Sequence, residues 1–500
     1  MATLEPRSPY SPEELEKLYP KNLELQQVQI LLRHGERTPV NARFKNAGLP
    51  PYWPYCSPAT AMSSTVLQAD GTRDTLQWKR RLQAPGEGDA PTLLAGSKGE
   101  IDAVCQPGEL TDRGRETTLA LGQRIRKLYV EQLGFLPSTI DQSSASGVYL
   151  RATPIQRALE SVQQAFVGLY PPSARAAGVP PPTIVTRSAM DETLFPNESA
   201  CKRFRELAHE FAERTAKLYN DGPELAYINK KIGKWMPEDS PVVKVDSHPR
   251  LSGVMDSVNA SSAHGSATRL PSEFYDKKVR ADIDKVCTEE WFSGYQESNE
   301  YRKLGIGALV GDLTQRMVEH AIESKIGDED AFKISLAGCH DTTIAAALTS
   351  LGAMDATKDK WPNFTSNIAF ELFKRRDAAS SSSPNGAMWP SKEKTWWFSL
   401  FSSPRPSQPA SARTPLSQWP NGEKSKLDEY YVRLRYNDNI VTVPYCRPVG
   451  RNFDGDETFC TLSAFKEAAD SFTPKNWKAE CRMNLGLPVI SGHAEPPPGL

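Results

Sequence analysis

The chain has 500 residues, 39% of them hydrophobic and 24% charged, which predicts two or three compact units with substantial cores. A formal net charge of −1 argues against nucleic acid or an anionic membrane as a partner, because neither would meet a general positive field. No apolar stretch has the length of a transmembrane segment, and residues 1–21 show neither a secretory signal nor a transit peptide. A cytoplasmic protein is therefore expected, with the mitochondrion as the alternative.

The first informative stretch, Arg33-His34-Gly35-Glu36-Arg37, directly follows a buried strand predicted over 28–32. Open α/β sheets bind ligands at the carboxyl ends of their strands, and arginine forks suit phosphate or carboxylate oxygens. Gly35 leaves room for a ligand to approach the backbone. The stretch thus indicates an anion site, with an ordinary charged surface turn as the plainer interpretation.

A proline- and glycine-rich region follows to about residue 108 and predicts a long loop at the side of the site. Thr111 then begins a helix, and a second short strand over 147–150 ends on Arg151. The next helix ends before Pro171-Pro172. Arg151 could be a surface cation, but its place at a strand end favours a shared role with Arg33.

The segment from about 190 to 325 is strongly helical, with helices predicted over 201–219, 224–235, 276–292 and 304–322. Its histidines lack the spacing of metal ligands, and none of the eight cysteines in the chain forms a CxxC pair. We therefore expect no metal site. The cysteine pattern leaves open whether the thiols are free or paired.

A third strand, predicted over 332–338, leads to His340-Asp341 at the start of a helix. Asp341 could be a simple helix cap there. Two further strands, over 367–373 and 430–436, are expected to form an antiparallel edge of the sheet. The Ser/Pro-rich stretch 375–426 between them predicts a disordered insertion.

These elements predict an α/β fold: a three-layer α/β/α core with a mostly parallel sheet and a smaller, mainly helical cap inserted in it. The predicted units are a peripheral N-terminal arm (1–21), a discontinuous core (22–189 and 326–480), a helical cap (190–325) and a C-terminal tail (481–500).

If the three strands are parallel neighbours, their ends bring together three arginines, two histidines and one carboxylate. Guanidinium groups would neutralise phosphoryl oxygens, a histidine would act as nucleophile and a carboxylic acid would protonate the leaving oxygen. The constellation favours chemistry on a phosphate monoester.

The stretch Arg33 to Pro39 resembles the RHGxRxP signature of the histidine acid phosphatases, branch 2 of the histidine phosphatase superfamily. His340-Asp341 is similar to the HD pair of that family, Arg151-Ala152-Thr153 to its R-[SA]-T segment, and Cys446 and Cys460 to its C-terminal cysteine pair. The resemblance covers residues 25–470 and is greatest to the lysophosphatidic acid phosphatase-like members.

The resemblance implies a role for each site residue. His34 would form a phosphohistidine, and Asp341 would protonate the leaving alcohol. The residues implied to bind the phosphate are Arg33, Arg37, Arg151 and His340. It implies no cofactor, and its substrate would be a small-molecule or lipid phosphomonoester such as lysophosphatidic acid.

Three alternatives remain open at this point: a phosphoglycerate mutase-like phosphoryl transferase, a phytase or inositol-phosphate phosphatase, and a non-enzymatic scaffold. Pro154 and Thr117 depart from residues common in the family, which affects substrate choice more than catalysis. The oligomeric state is not predicted.

Overall fold

The structure, a computed structural model, describes residues 3–4, 7–323, 332–354, 360–376, 412–489, 495 and 497–499. Its strands are β1 (Leu23–Arg33), β2 (Met62–Leu67), β3 (Arg73–Trp78), β4 (Gln83–Pro85), β5 (Pro91–Leu93), β6 (Val148–Ala152), β7 (Ile184–Val185), β8 (Ile334–Cys339), β9 (Asn367–Arg375), β10 (Tyr430–Tyr436), β11 (Asn439–Val441), β12 (Asn452–Phe453) and β13 (Asp456–Thr461). Its α-helices are α1 (Pro12–Leu18), α2 (Asp112–Arg126), α3 (Gln156–Leu169), α4 (Lys202–Tyr219), α5 (Pro223–Ile232), α6 (Leu251–Ala263), α7 (Lys277–Glu297), α8 (Asn299–Arg302), α9 (Ala308–Glu323), α10 (Asp341–Ser350), α11 (Asn421–Lys424), α12 (Leu462–Asp470) and α13 (Trp477–Glu480).

Within these residues the main sheet has nine strands, in the order β12-β13-β10-β9-β1-β8-β6-β7, with β11 paired to β10. The pairs β1/β8, β8/β6 and β6/β7 are parallel, whereas β9 and β10 form the antiparallel side that the sequence predicts. Since β8 lies between β1 and β6, the carboxyl ends of all three strands meet at one edge. Arg33 pairs with Cys339 in this register.

Alternating residues of β1 point to opposite faces of the sheet, and each face is covered by helices. Leu31 belongs to a core with Ile344 of α10, whereas Leu32 belongs to a second core with Leu121 of α2 and Val162 of α3. All five residues are at most 4% exposed, so solvent is excluded from both faces of the sheet at this strand. The predicted three-layer α/β/α arrangement is confirmed.

The cap has a hydrophobic core of its own, which includes Ile228, Val254 and Ile283 of helices α5, α6 and α7. Helix α6 was not among the predicted helices. The predicted cap boundary at 325 extends too far, because Leu313 of α9 packs in the core of the sheet and its carbonyl accepts a hydrogen bond from Gln29 Nε2 at 2.9 Å. No helix in the described part of the chain is long and apolar enough to cross a membrane.

Two regions predicted to lack regular structure contain it. The loop after residue 44 carries two antiparallel hairpins, β2/β3 and β4/β5. In the predicted disordered insertion, residues 412–426 are ordered because Leu416 and Trp419 pack into the core of the sheet. Residues 377–411 of that prediction lie outside the described residues.

The N-terminal arm is less peripheral than predicted. Helix α1 begins with a capping box in which Ser11 Oγ accepts a hydrogen bond from the Glu14 backbone N–H at 3.2 Å. Tyr19, which follows the helix, donates a hydrogen bond at 2.7 Å to the fully buried Glu371 of β9. Thr3 also contacts the stretch 33–37, because its hydroxyl donates a hydrogen bond to Glu36 at 2.5 Å. The arm is therefore part of the core.

All eight cysteines lie in the described residues, and six of them form disulfides: Cys56–Cys105, Cys201–Cys481 and Cys446–Cys460. Cys287 and Cys339 are buried thiols. The third disulfide joins the two cysteines that resemble the C-terminal pair of the family. In the described residues the one cluster with the side chains of a metal site comprises Cys56, Cys105 and Glu109, whose two sulfur atoms are bonded to each other.

Candidate active site

His34 lies immediately after β1, where the sheet fixes its backbone on both sides. Its N–H donates to the Cys339 carbonyl of β8 at 3.1 Å, and its own carbonyl accepts from the Thr365 N–H at 3.3 Å. The side chain is only 1% exposed. Its Nδ1 lies 2.8 Å from the Gly35 carbonyl, and because a carbonyl only accepts, Nδ1 carries the proton. The lone pair of the ring is therefore on Nε2.

Gly35 is required by a neighbouring helix rather than by a ligand. A Cβ atom at this position would lie 2.2 Å from the Gly114 carbonyl of α2, a distance that no real contact permits. The Gly35 N–H donates a hydrogen bond to Ser161 Oγ of α3 at 3.1 Å. The expectation that Gly35 makes room for a ligand is wrong. The absence of a side chain instead allows the stretch 33–37 to pack directly on helix α2.

His340 and Asp341 follow β8, on the strand next to His34. The rings of His34 and His340 have their centroids 5.5 Å apart, and His340 Nε2 lies 3.1 Å from the Thr153 hydroxyl after β6. Asp341 is the first residue of α10, where the helix dipole favours a negative charge. The structure thus brings together the two motifs that lie about three hundred residues apart in the chain.

Arg33 is almost completely buried and connects the two motifs. Its Nη2 lies 2.7 Å from Asp341 Oδ2, and its Cζ lies 4.2 Å from the centroid of the Phe364 ring. Its Nη1 donates to the carbonyl of Pro362. Both of these supporting residues come from the segment before β9, which the sequence analysis did not associate with the site.

Arg37 is held by a residue of the cap. Its Nη1 donates to Asp256 Oδ1 of α6 at 2.6 Å, and Oδ2 of the same carboxylate accepts from Arg43 Nη1 at 3.1 Å. The Val40 N–H also donates to Asp256 Oδ2 at 3.0 Å. The cap therefore supplies this side of the site with a carboxylate that is 10% exposed, and no motif in the sequence indicates it.

Arg151 lies at the predicted strand end, but its guanidinium points to a different partner. Arg151 Nη2 donates to Glu192 Oε1 at 2.6 Å, and both side chains are at most 2% exposed. Its Nη1 lies 3.9 Å from Asp312 of α9. These contacts place the guanidinium in a structural ion pair, so the position of Arg151 does not fit the phosphate-binding role expected for it.

Arg157, in the first turn of α3, has the electrostatic effect on the site that was expected of Arg151. Its charge is the largest electrostatic influence of any residue on both His34 and His340. Burial and the positive charge of Arg37 lower the pKa of Arg157 to about 10. A signal was present in the sequence, because a helix start directly after a strand end is also a suitable place for an anion-binding residue.

These charges determine the protonation of the site. Burial, and then the charge of Arg157, hold the pKa of His34 well below its usual range, so the ring is neutral. The same two causes lower the pKa of His340. Burial opposes the ionisation of Asp341, but the Arg33 guanidinium outweighs it and holds the pKa of that carboxyl below its usual range. The site therefore contains a neutral histidine at position 34, an ionised carboxylate and buried arginines.

Comparison with known proteins identifies this arrangement. A family model described as histidine phosphatase superfamily (branch 2) matches residues 24–397. The matched branch is the one that the motifs predict, and it is not the phosphoglycerate mutase-like alternative. A probable acid phosphatase of Schizosaccharomyces pombe is 38% identical over 466 residues, which cover 93% of this chain and 95% of that protein.

Two more distant relatives bear on the substrate and the fold. Lysophosphatidic acid phosphatase type 6 of Homo sapiens is 28% identical over 357 residues, 71% of this chain and 75% of that protein. The structure of Hafnia alvei phytase in complex with myo-inositol hexakis sulphate matches with a TM-score of 0.53 at 14% identity, over 92% of this chain and 99% of that one. At this identity the likeness shows a common fold.

Proposed function

Because the chain belongs to branch 2 of the histidine phosphatase superfamily, we propose that it is an acid phosphatase that hydrolyses phosphate monoesters through a phosphohistidine on His34. The observation that carries this proposal is the neutral, buried His34, whose unprotonated Nε2 lies among buried arginines and next to the HD pair. A nucleophilic nitrogen needs a free lone pair, and a phosphoryl group needs fixed positive charge.

In the first step, His34 Nε2 attacks phosphorus while the bond from phosphorus to the ester oxygen breaks. Arg33, Arg37 and Arg157 neutralise the non-bridging oxygens, and His340 completes the binding site. The leaving oxygen takes the proton of Asp341, so an alcohol departs and a carboxylate remains. In the second step this carboxylate takes a proton from water as the water oxygen attacks phosphorus, which releases phosphate and restores His34.

The proton donor must carry a proton that it does not hold in the free site. Arg33 keeps Asp341 ionised there, with a contact of 2.7 Å. A bound phosphate would share the charge of Arg33 and add negative charge nearby, and both effects raise the pKa of Asp341. Substrate binding and protonation of Asp341 are therefore coupled, which favours activity at acidic pH.

The wall next to the site bears on the choice of substrate. A pocket follows directly after Arg37 and is lined by Pro39, Asn41, Arg43, Leu49, Pro50, Pro51, Tyr52, Trp53 and Pro107, among other residues. The lining mixes apolar and polar side chains, and its cation Arg43 pairs with Asp256, a carboxylate that also pairs with Arg37. An inositol polyphosphate would require several cations beyond the arginines assigned to one phosphate, and this wall adds only Arg43. Together with the similarity to lysophosphatidic acid phosphatase type 6, this favours a lysophosphatidic acid-like substrate over phytate.

The disulfides bear on the compartment in which the protein matures. The sequence predicts a cytoplasmic protein, but disulfides persist mainly in oxidising compartments. The three disulfides therefore favour maturation in an oxidising compartment over the cytoplasm.

The test is hydrolysis of para-nitrophenyl phosphate at acidic pH by the oxidised full chain, without added metal, in the wild type and in His34→Ala. We expect the variant to lose activity by at least about three orders of magnitude. An alkaline quench during turnover should trap phosphate covalently on the wild type and not on the variant. Full activity in His34→Ala would refute the nucleophile, and absence of wild-type activity on all substrates would favour the scaffold.

A substrate panel of lysophosphatidic acid, phytate and a sugar phosphate then decides the substrate class. The highest kcat/KM is expected for lysophosphatidic acid. A higher value for phytate would overturn this choice of substrate class.

A further inference from the structure

The carboxylate of Asp341 accepts two N–H hydrogen bonds besides its ion pair with Arg33, and one of them comes from a side chain that the mechanism above does not use. Arg33 Nη2 lies 2.7 Å from Oδ2, and the indole Nε1 of Trp361 donates to the same oxygen at 2.9 Å. The other oxygen, Oδ1, accepts from the Thr342 backbone N–H at 2.9 Å. The two oxygens of the acid are therefore not equivalent.

This asymmetry determines where a catalytic proton can reside. Oδ2 accepts the indole hydrogen bond and also lies 2.7 Å from the Arg33 guanidinium, whereas Oδ1 accepts only from the Thr342 N–H. A proton on Oδ2 would lie against the positive guanidinium and compete with the indole N–H, whereas a proton on Oδ1 does neither.

Trp361 is itself held by the cap. Its ring packs against Phe292 of α7 with a centroid distance of 4.9 Å, and against Trp291 at 6.1 Å. Phe292 is 1% exposed, so the indole lies against a rigid surface. An indole N–H only donates, and its direction follows from the position of the ring. The cap thus fixes the direction of the hydrogen bond to the acid.

We propose that Trp361 is the positioning residue of the proton donor, which orients the Asp341 carboxyl and directs the transferable proton to Oδ1. This inference rests on the proposed function, because it concerns the acid of the same reaction. Trp361 touches neither the phosphoryl group nor the leaving group in this account, and it acts only through Asp341.

The test uses Trp361→Phe, which keeps an aromatic ring and removes the N–H donor. The matched control is Trp291→Phe, which makes the same chemical change in the same aromatic cluster but away from Asp341. Each variant is assayed with para-nitrophenyl phosphate, whose phenolate leaves without much protonation, and with glycerol phosphate, whose alkoxide requires a proton.

We expect Trp361→Phe to lower kcat for glycerol phosphate about tenfold and kcat for the aryl ester less than threefold, with Trp291→Phe near wild type. Trp361→Phe removes a hydrogen-bond donor to the ionised form of Asp341, which raises the pKa of that acid. In the pH profile of kcat for glycerol phosphate, the alkaline limb should therefore move to higher pH by about one unit. The other titratable groups around Asp341 are unchanged in this comparison; they are the charged Arg33, Arg37 and Arg157 and the neutral His340. Equal losses on both esters without a shift of the limb would show that Trp361 is only structural.

A double-mutant cycle adds a second readout. In the Asp341→Asn background the Trp361→Phe change should have less than twofold further effect on glycerol phosphate, because the group through which it acts is gone. An undiminished effect there would overturn the proposal.

Should Trp361→Phe not fold, tryptophan-labelled wild type and Asp341→Asn are compared by the ¹⁵N–¹H signals of their indoles. One indole signal is expected to shift upfield when its charged acceptor is lost, and no change in any indole would overturn the proposal. Failure of the proposed function is seen separately, because His34→Ala would then retain wild-type activity whatever the result at Trp361.

Discussion

Replacement of Arg157 by methionine should reduce activity and at the same time stabilise the protein. The pKa of Arg157 falls from 12.5 to about 10 because burial and the neighbouring Arg37 oppose its charge. A tenfold change in proton affinity corresponds to about 1.4 kcal/mol, so this charge costs the folded state about 3 kcal/mol. This charge destabilises the folded state at any pH below about 10, since Arg157 is then charged in both the folded and the unfolded chain.

The gain in stability should be smaller than this value, because Arg157→Met also removes a long hydrogen bond of 3.4 Å to the Gly108 carbonyl and changes the packing. We expect the free energy of unfolding to rise by about 1 to 3 kcal/mol in a urea titration. Each hydrogen bond to a charged phosphoryl oxygen contributes about 1.5 to 3 kcal/mol, so loss of one such bond should lower kcat/KM about 10- to 100-fold. Inorganic phosphate should raise the melting temperature of the wild type more than that of the variant.

Arg151→Met is the matched control, because it removes the same group from the neighbouring position in the chain. It leaves Glu192 buried without its ion-pair partner, which typically costs about 3 to 5 kcal/mol. The fraction that remains folded should bind phosphate and keep kcat within a few fold of wild type. If the folded Arg151→Met variant is inactive while Arg157→Met retains its activity, the assignment of the phosphate-binding arginine is wrong.

Three further predictions concern other parts of the molecule. Asp341→Asn should slow hydrolysis of alkyl phosphates by at least about 100-fold and that of activated aryl phosphates much less, as measured by kcat across a series of leaving groups; equal losses would argue against Asp341 as the acid. Gly35→Ala should abolish activity because its Cβ would overlap the backbone of α2, whereas Gly422→Ala, which meets no atom within 4 Å, should remain active in the same assay. Burial opposes the charge of Glu371, but Arg433 outweighs it and lowers the pKa of this carboxyl to about 2. The carboxylate therefore stabilises the fold above about pH 4.5, and this stabilisation is lost between pH 4.5 and 2. In urea titrations, Glu371→Gln should lose less free energy of unfolding over that range than the wild type, and an identical pH dependence would contradict the assignment.

Local patterns in the sequence were sufficient to predict the part of the site that lies on the sheet. The buried strand before Arg33 and the strand before His340 are both read directly from apolar runs, and the rule for strand ends places their last residues together. The structure confirms this meeting, with the two histidine rings 5.5 Å apart.

The choice between Arg151 and Arg157 could not be made from local pattern, because the two residues lie on either side of one short strand-to-helix connection. The partner that removes Arg151 from the site is Glu192, which lies 41 residues further along the chain. A buried ion pair over such a distance leaves no periodic signal in a single sequence.

The contributions of Asp256 and Trp361 were missed for a related reason. Asp256 lies on α6, a helix that the apolar periodicity did not reveal, and its role depends on how the cap sits over Arg37. Trp361 lies in a short segment without regular structure, next to residues that belong to no motif. Positions of this kind are set by tertiary packing, which composition and spacing do not encode.

The place of β8 in the sheet has a consequence for how the protein is made. β8 inserts between β1 and β6, yet it leaves the ribosome about 180 residues after β6 and about 300 after β1. Until then β1 and β6 present open edges, and contacts of such long range form slowly. In the proposed mechanism the nucleophile His34 is synthesised early and the acid Asp341 only after β8, so we expect no phosphatase activity from the nascent chain before that point. Chains that stop before residue 334 are expected to need shielding by chaperones, because β1 then lacks its partners β8 and β9 and β6 lacks β8.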